Sequence, residues 1–245
     1  MRTCLLALLV ASLPAFATEP VTATGKVVDS EGKPIGHAAV LVYSAGVKKG
    51  FNLYCPTCYI DCGKRTFTAA DGTYSIEGLN ADLLFNLLVA SEGYGAKFVN
   101  KVDPQKGPAE PAVLQKRVPP EDPAQIVSGK VVDSHGEAVP DALVEQQGAM
   151  LGDSQRYGPT DWIDLIAVTN PQGEFELAYT KPLTAAIVQV SPRGMAAKLA
   201  TVPTGSGPKT ITVTEGADYS RSADAGRQAR CARGGRSHYT YTERW

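Results

Sequence analysis

The sequence predicts an all-β protein in which two antiparallel β-sandwiches of seven short strands follow one another along the chain. The main observation is an internal repeat: Gly25-Lys-Val-Val-Asp-Ser-Glu-Gly32 returns as Gly129-Lys-Val-Val-Asp-Ser-His-Gly136. A second landmark, Asp71-Gly-Thr-Tyr, returns in the same order as Gln172-Gly-Glu-Phe. Short β-branched segments lie between turn residues, and the chain contains 24 Gly and 17 Pro. A repeat of about 100 residues without a helical stripe indicates tandem sandwiches.

Residues 1–17 have the features of a secretory signal peptide. Arg2 supplies the positive start, Leu5 to Val10 the apolar core, and Ala15-Phe-Ala17 the cleavage site. We therefore expect an exported protein, located in the periplasm or outside the cell. No later segment reaches the roughly 20 apolar residues of a membrane-spanning helix, so no membrane insertion is predicted. The net charge of −1 predicts neither a nucleic acid nor an acidic membrane surface as partner.

The first unit is predicted over residues 18–116. β-branched residues near alternate positions indicate its first strand, and the turn formers from Asp29 to Pro34 end that strand. After the turn at Asp71, Tyr74 and Ile76 share one face of a strand. An apolar run from Leu83 onward is expected in the core. The predicted strands are Val21 to Val28, Ala39 to Ser44, Thr73 to Ile76, Leu83 to Ala90, Ala96 to Val99 and Ala112 to Leu114.

A linker is predicted over residues 117–124, where Pro119, Pro120 and Pro123 stand among charged residues. This composition is typical of a semi-rigid, extended spacer. The second unit follows over residues 125–216 and repeats the order of the first. Its predicted strands are Ile126 to Val132, Ala142 to Glu145, Ile163 to Val168, Glu174 to Tyr179, Ala185 to Val190, Ala197 to Val202 and Lys209 to Thr214.

The segment 217–245 differs in character from the rest of the chain. It holds six arginines, few aliphatic residues and no strand pattern. One interpretation is an irregular basic tail without fixed structure. The other is a frameshift, because the codons of Asp218 to Arg236, read one base out of phase, permit a peptide with the motif that begins each β-unit. In that case a third repeat has been lost or mistranslated.

The repeated motif G-K-V-V-D-S-x-G-x-P, followed by a short apolar strand and then by D-G-x-[YF]-x-[IL], resembles the carboxypeptidase regulatory-like domain. The resemblance covers Val21 to about Gln115 and Ile126 to about Glu215. It implies an immunoglobulin-like or transthyretin-like sandwich, grouped with carbohydrate-binding-like folds, and it does not imply peptidase activity. In the second copy Gln172 replaces Asp71, which leaves open whether a side chain stabilises that turn.

Three cysteines, Cys55, Cys58 and Cys62, lie in a segment of the first unit that the second unit lacks. Neighbouring cysteines pair in an oxidising compartment, so we expect one disulfide and one free thiol. Cys58 with Cys62 is the preferred pair because related regulatory-like domains share the stretch P-T-C-Y-x-D-C-G, and Cys55 with Cys62 remains an alternative. A zinc site would lack a fourth ligand, and a redox-active C-x-x-C would lack its helix N-terminus. No metal is predicted.

No catalytic residue is predicted in this chain. His37 and His135 lie after and within turns, without the paired spacing of zinc peptidases. The sequence contains neither a G-x-S-x-G nucleophile turn nor a phosphate-binding loop. We therefore expect neither enzymatic activity nor a cofactor.

Aromatic side chains are the best candidates for a binding site. Tyr54 and Tyr59 flank the cysteines, while Tyr157 and Trp162 lie in the corresponding insertion of the second unit. Rings carried on loops above a rigid scaffold suit sugars or a protein partner. Alternatively, these rings cover the open end of each sandwich. The predicted function is a non-catalytic structural or interaction module, and the alternative is a carbohydrate-binding protein; the partner is an unidentified protein or a polysaccharide.

Overall fold

The computed structural model describes residues 19–118, 120 and 122–216. The predicted signal peptide 1–17 and the segment 217–245, with its frameshift hypothesis, lie outside the described residues. The strands of the first unit are β1 (Val21–Asp29), β2 (Ala39–Val47), β3 (Arg65–Phe67), β4 (Thr73–Leu79), β5 (Leu83–Ala90), β6 (Lys97–Val102) and β7 (Ala112–Leu114). The strands of the second unit are β8 (Ile126–Val132), β9 (Leu143–Leu151), β10 (Ser154–Tyr157), β11 (Ile166–Val168), β12 (Glu174–Ala178), β13 (Ala185–Ser191), β14 (Lys198–Pro203) and β15 (Lys209–Thr212).

Both units have the same sheet topology. In the first, a three-stranded sheet β4-β1-β7 faces a four-stranded sheet β3-β2-β5-β6. In the second, the sheet β12-β8-β15 faces a sheet in which β9 pairs with β13, β11 and the additional strand β10. The neighbouring strands are antiparallel except for the parallel pairs β1 with β7 and β8 with β15. The sequence repeat is thus a repeat of topology, and the prediction of two tandem all-β sandwiches is confirmed.

Alternating burial explains why these segments form strands. On β4, Tyr74 and Ile76 point inward and the intervening residues are exposed, as the sequence predicts. Two strands escaped prediction. Strand β3 has only three residues, and all four residues of β10 are exposed, so neither carries a hydrophobic alternation that could reveal it.

Each sandwich has its own closed core between its two sheets. The first core combines side chains such as Val27 of β1, Ile76 of β4 and Phe85 of β5, all at most 3% exposed. The second core is built in the same way around residues such as Val131 and Phe175. Side chains from two facing sheets that interdigitate in this way are typical of a sandwich core.

An aromatic ring covers the glycine of the repeated G-K-V-V motif in both units. A Cβ atom at Gly25 would lie 2.4 Å from the Tyr74 hydroxyl oxygen, and one at Gly129 would lie 2.5 Å from the Phe175 ring. The Tyr74 hydroxyl is buried, and this burial raises the pKa of Tyr74 to about 12. The glycine and the [YF] position of the two motif halves are therefore partners in one packing contact.

Side chains stabilise the turns of both units, from equivalent positions at the first turn and from a different position at the turn before β12. Asp29 Oδ1 accepts hydrogen bonds from the backbone N–H groups of Glu31 and Lys33, and Asp133 does the same in the second unit. At the turn where Gln172 replaces Asp71, the side chain of Asn170 accepts from the N–H groups of Gln172 and Glu174 at 3.0 and 2.8 Å. The second unit thus keeps an Asx-type turn in spite of the substitution.

The two units pack directly against each other. The outer faces of β2 and β5 meet those of β9 and β11 in a cluster that we call the inter-unit cluster. It contains Ala39, Leu41, Leu88 and Ala90 from the first unit and Leu143, Ile166 and Val168 from the second. Arg117 of the predicted linker adds ion pairs with Asp164 at 3.0 Å and Glu176 at 3.4 Å. The linker therefore does not hold the units apart as an extended spacer would.

Candidate functional site

The loop between β2 and β3, residues 48–64, carries all three predicted cysteines, and we call it the cysteine loop. Backbone hydrogen bonds tie it to β2: Ala45 N–H donates to Pro56 O at 2.7 Å, and Gly63 N–H donates to Val42 O at 2.8 Å. The side chain of Asn52 accepts from Val47 N–H at 2.9 Å and from the Tyr59 hydroxyl at 3.1 Å. The loop is therefore long but well fixed.

Asp61 anchors the base of the cysteine loop. Its side chain is almost fully buried, accepts a hydrogen bond from Lys64 Nζ at 2.7 Å and accepts another from Asn80 N–H at 3.2 Å. Lys64 Nζ also donates to Gly78 O. A buried carboxylate needs such partners, so these contacts fix the loop to the connection between β4 and β5.

The disulfide of the loop joins Cys55 to Cys58, with Cα atoms 5.1 Å apart. The preferred pair Cys58–Cys62 and the alternative Cys55–Cys62 are therefore wrong, although the prediction of a disulfide is confirmed. A turn in which Cys58 N–H donates to Cys55 O brings those two side chains together. Cys62 instead packs against the first core, where its thiol donates to Pro56 O at 3.4 Å and burial raises its pKa.

We expect the disulfide to survive Cys62→Ser and to be lost in Cys58→Ser. Closing so short a loop restricts the unfolded chain little, so Cys58→Ser should lower the free energy of unfolding by only about 2 kcal/mol. Intact mass with and without reductant checks the bond, because reduction adds two hydrogens. If the mass of Cys62→Ser does not change on reduction, Cys62 takes part in the bond and this connectivity is contradicted.

The four aromatic residues predicted to bind do not form one surface. Tyr54 is half exposed and meets the half-buried Tyr59 edge-to-face, with ring centroids 5.6 Å apart. Tyr157 is exposed on β10. Trp162 packs against the second core, and Lys181 Nζ lies 6.0 Å from its ring centroid. Tyr59 and Trp162 therefore cover the sandwiches, as the alternative interpretation holds, whereas Tyr54 and Tyr157 are accessible.

The most exposed apolar side chains of the loop lie outside the predicted set of binding residues, and sequence reasoning missed Leu53 and Ile60 altogether. Phe51 is 94% exposed, Leu53 86% and Ile60 85%. Together with Tyr54 we call them the loop apex. Large apolar side chains held this far out of a fixed loop indicate a contact surface. Their sequence signal is weak: they are apolar residues among Gly, Pro and Cys, without the period of a strand or a helix.

A cleft of about 590 Å³ separates the cysteine loop from the second unit. Tyr59, Ile60 and Arg65 line one wall, and Glu145 and Met195 belong to the other. Arg65 donates a hydrogen bond to Pro192 O at 3.4 Å across it. Burial raises the pKa of Glu145, and the positive charge of Arg65 offsets this only in part.

Glu145→Gln is expected to stabilise the protein at neutral pH. The pKa of Glu145 in the folded state lies above its ordinary value of 4.5. Between the ordinary and the raised pKa, the folded protein keeps a proton that the unfolded chain has released. The free energy of unfolding therefore falls as pH rises from the ordinary pKa through the raised one. Urea unfolding as a function of pH should therefore show a flatter profile for Glu145→Gln than for wild type. Lower stability of this variant at pH 7, relative to the exposed control Glu92→Gln, would mean that the attraction to Arg65 dominates.

Metal-ligand clusters and membrane-spanning helices are both absent from the described part of the chain. No three His, Cys, Asp or Glu side chains within residues 19–118 and 122–216 come together as metal ligands. In the same part of the chain, no helix has the length and apolar character needed to cross a bilayer.

Comparison with known proteins identifies no family. No family model matches the chain, and no curated protein matches it. Solved structures with local similarity include a streptococcal ancillary pilin (15% identity, 81% of this chain and 63% of that one, TM-score 0.26). Another is the shaft pilin SpaA of Lactobacillus rhamnosus GG, with 9% identity over 81% of this chain and 98% of that one and a TM-score of 0.28. A third is 3-chlorocatechol 1,2-dioxygenase of Rhodococcus opacus 1CP, with 14% identity over 40% of this chain and 60% of that one and a TM-score of 0.29. The chain spans less than two thirds of the ancillary pilin, and TM-scores this low support no functional conclusion.

Proposed function

We propose that this chain is an exported, non-catalytic interaction module whose contact surface is the cysteine loop. The observation that carries the proposal is the loop apex. Phe51, Leu53 and Ile60 are almost fully exposed on a loop held by a disulfide and by the hydrogen bonds of Asn52. A fixed loop loses little conformational entropy when it binds, which favours a role in recognition.

The organisation that accompanies this proposal is a signal peptide over 1–17, a first regulatory-like unit over 18–116, a linker over 117–124 and a second unit over 125–216. Export agrees with a disulfide, since disulfides persist in oxidising compartments. The shared topology of the two units and their directly packed outer faces suit a short, stiff building block. We therefore propose that the chain is exported to the periplasm or to the cell exterior.

Site-specific photo-crosslinking tests the contact surface. A photoreactive amino acid replaces Leu53 of the loop apex in cells that export the protein, and the control carries it at Leu199, which is 64% exposed on β14. We expect discrete adducts from position 53 that are absent from position 199. Equal labelling at the two positions, or none at either, would refute the cysteine loop as the contact surface.

Polysaccharide binding is a second candidate because two of the predicted rings are accessible. Tyr54 is 50% exposed and Tyr157 is 80% exposed, so either ring can stack on a sugar. Retention on immobilised polysaccharides that disappears in Tyr157→Ala or Tyr54→Ala, but not in Trp162→Ala, would support it. Wild-type protein that passes through the whole panel unretained would exclude this candidate.

A further inference from the structure

Glu145 is a carboxylate that lies in the contact between the two units. It shares the outer face of β9 with Leu143, a member of the inter-unit cluster two residues away. A second cavity, of about 380 Å³, has Leu41 and Cys62 in common with the cleft of about 590 Å³. Glu145 lines both cavities, so residues of the first unit supply part of the cover that buries it.

The surroundings of Glu145 compensate a negative charge poorly. The titratable or charged side chains that share its two cavities are Tyr43 of β2, Arg65 of β3, and Tyr59 and Cys62 of the cysteine loop. Strands β5 and β13 contribute only uncharged side chains to these cavities. Within residues 19–118 and 122–216, no hydrogen-bond donor reaches the Glu145 carboxylate, and Arg65 is the positive charge that acts on it.

We propose that the contact between the units is a proton-controlled closure, in which neutral Glu145 lets the units close and ionised Glu145 favours their separation. An ionised carboxylate is costly to bury without hydrogen-bond donors, and a neutral carboxyl group is much less so. When the units part, water takes the place of the first unit beside Glu145 and hydrates its charge. Opening also uncovers the inter-unit cluster, so proton uptake controls how much apolar surface the protein presents.

The pKa values on the two sides of the contact agree with this geometry. Burial raises the pKa of Glu145, and the attraction of Arg65 offsets the increase only in part. Burial and, to a smaller extent, the charge of Glu145 raise the pKa of Tyr43, a residue of the other unit. The closed form therefore holds the proton of Glu145 more tightly than the open form. Closure is strongest in acid, and it weakens as pH rises through the interval between the pKa of the open form and that of the closed form.

The ion pairs of Arg117 predict the opposite response to pH. Arg117 pairs with Asp164 and Glu176 of the second unit. Acid neutralises these two carboxylates and weakens their pairs, whereas acid neutralises Glu145 and strengthens the contact. The direction of the pH response therefore distinguishes the two groups.

Small-angle scattering of the purified exported protein tests the proposal, with Val168→Ala as the parent variant. Val168 belongs to the inter-unit cluster but does not line the two cavities beside Glu145, so its truncation weakens the contact without changing those surroundings. From about pH 4.5 to about pH 8, the radius of gyration of the parent should increase. Adding Glu145→Gln should keep the radius near its value in acid, because the amide stays neutral at every pH.

Alkylation of Cys62 by a maleimide detects openings that are too rare to change the scattering. Cys62 lines both cavities, so the reagent reaches its thiol more readily when the units part. The rate is followed by mass spectrometry of the peptide that contains Cys62. Dividing the rate of the parent by that of the parent with Glu145→Gln removes the effect of pH on the thiol itself. This ratio should rise up to about tenfold per pH unit within the interval, and a ratio and a radius that both stay constant would overturn the proposal.

Two further variants separate Glu145 from other charged groups. Glu77→Gln, on the exposed side of β4, is the control and should keep the pH response of the parent. Arg65→Gln should extend the response to higher pH, because the closed form then loses the positive charge that favours ionised Glu145. A radius that falls as pH rises, unaltered by Glu145→Gln, would assign the control to the Arg117 ion pairs and overturn the proposal. Growth of the radius together with loss of the β-sheet signal in circular dichroism would show that a unit unfolds, and this would overturn it as well.

Discussion

Gly173→Ala is expected to unfold the second unit under conditions where wild type is fully folded. Gly173 has φ +76°, and a Cβ atom added there would lie 2.4 Å from the carbonyl oxygen of Val131 on β8. A left-handed backbone costs an alanine about 1 kcal/mol, and the overlap with a strand carbonyl adds at least ~2 kcal/mol because that strand cannot move without breaking its pairing. We therefore expect a loss of roughly 3 kcal/mol or more in denaturant unfolding.

Gly136→Ala is the matched control for this prediction. Gly136 has φ +85°, but the space around its Cβ position is empty to 4 Å. Only the backbone cost applies there, so its free energy of unfolding should fall by about 1 kcal/mol. Similar losses in the two variants would mean that the close approach to Val131 has no energetic weight. Gly72→Ala in the first unit should repeat the large effect, since its Cβ would lie 2.4 Å from Val27 O.

Gly72 and Gly173 show why the fold could be predicted from the sequence. The motif that recurs around Gly72 and Gly173 places a glycine where the turn closes against β1 or β8 and an aromatic ring, two residues later, over Gly25 or Gly129. Both constraints are local and restrict which residue types can occupy these positions. Turn residues and inward-facing alternation therefore predict most strands, whereas the short β3 and the exposed β10 have neither pattern.

The contact between the units also had a signature in the sequence, although the prediction did not use it. A strand covered on one face shows alternation, and a strand covered on both faces is apolar throughout. Strand β5 is such a run except for Asn86: Phe85 and Leu87 point into the first core, and Leu88 and Ala90 point into the inter-unit cluster. The length of this run and its apolar residues at both odd and even positions indicate cover on both faces, whereas the prediction placed it in one core.

The candidate site was less predictable for physical reasons. Which of three nearby cysteines pair depends on which side chain turns toward the core, and the packing of Cys62 decides this. Whether a loop residue such as Leu53 is exposed depends on the hydrogen bonds that Asn52 accepts from Val47 at the end of β2 and from Tyr59. The rings of Tyr54 and Tyr157 are accessible, whereas the ring of Trp162 packs against the second core, and no residue pattern in the sequence distinguishes these cases.

Leu88→Asp is expected to separate the two units while each sandwich remains folded. The side chain of Leu88 is 1% exposed and lies in the inter-unit cluster with Leu143 and Ile166, on the face of β5 that points away from the first core. An ionised carboxylate without a partner costs several kcal/mol to bury, and the cheapest way to hydrate it is to open the contact between the units. The backbone pairing of β5 with β2 and β6 does not require that contact.

Small-angle scattering and thermal unfolding measure this separation. The radius of gyration should increase, and one cooperative transition should become two, because the units no longer stabilise each other. Leu199→Asp on the exposed face of β14 is the control and should leave both properties unchanged. Leu143→Asp places the charge on the opposite side of the same cluster and should reproduce the effect of Leu88→Asp. If both variants keep the scattering profile of wild type, the ion pairs of Arg117 with Asp164 and Glu176 hold the units together and the apolar cluster does not.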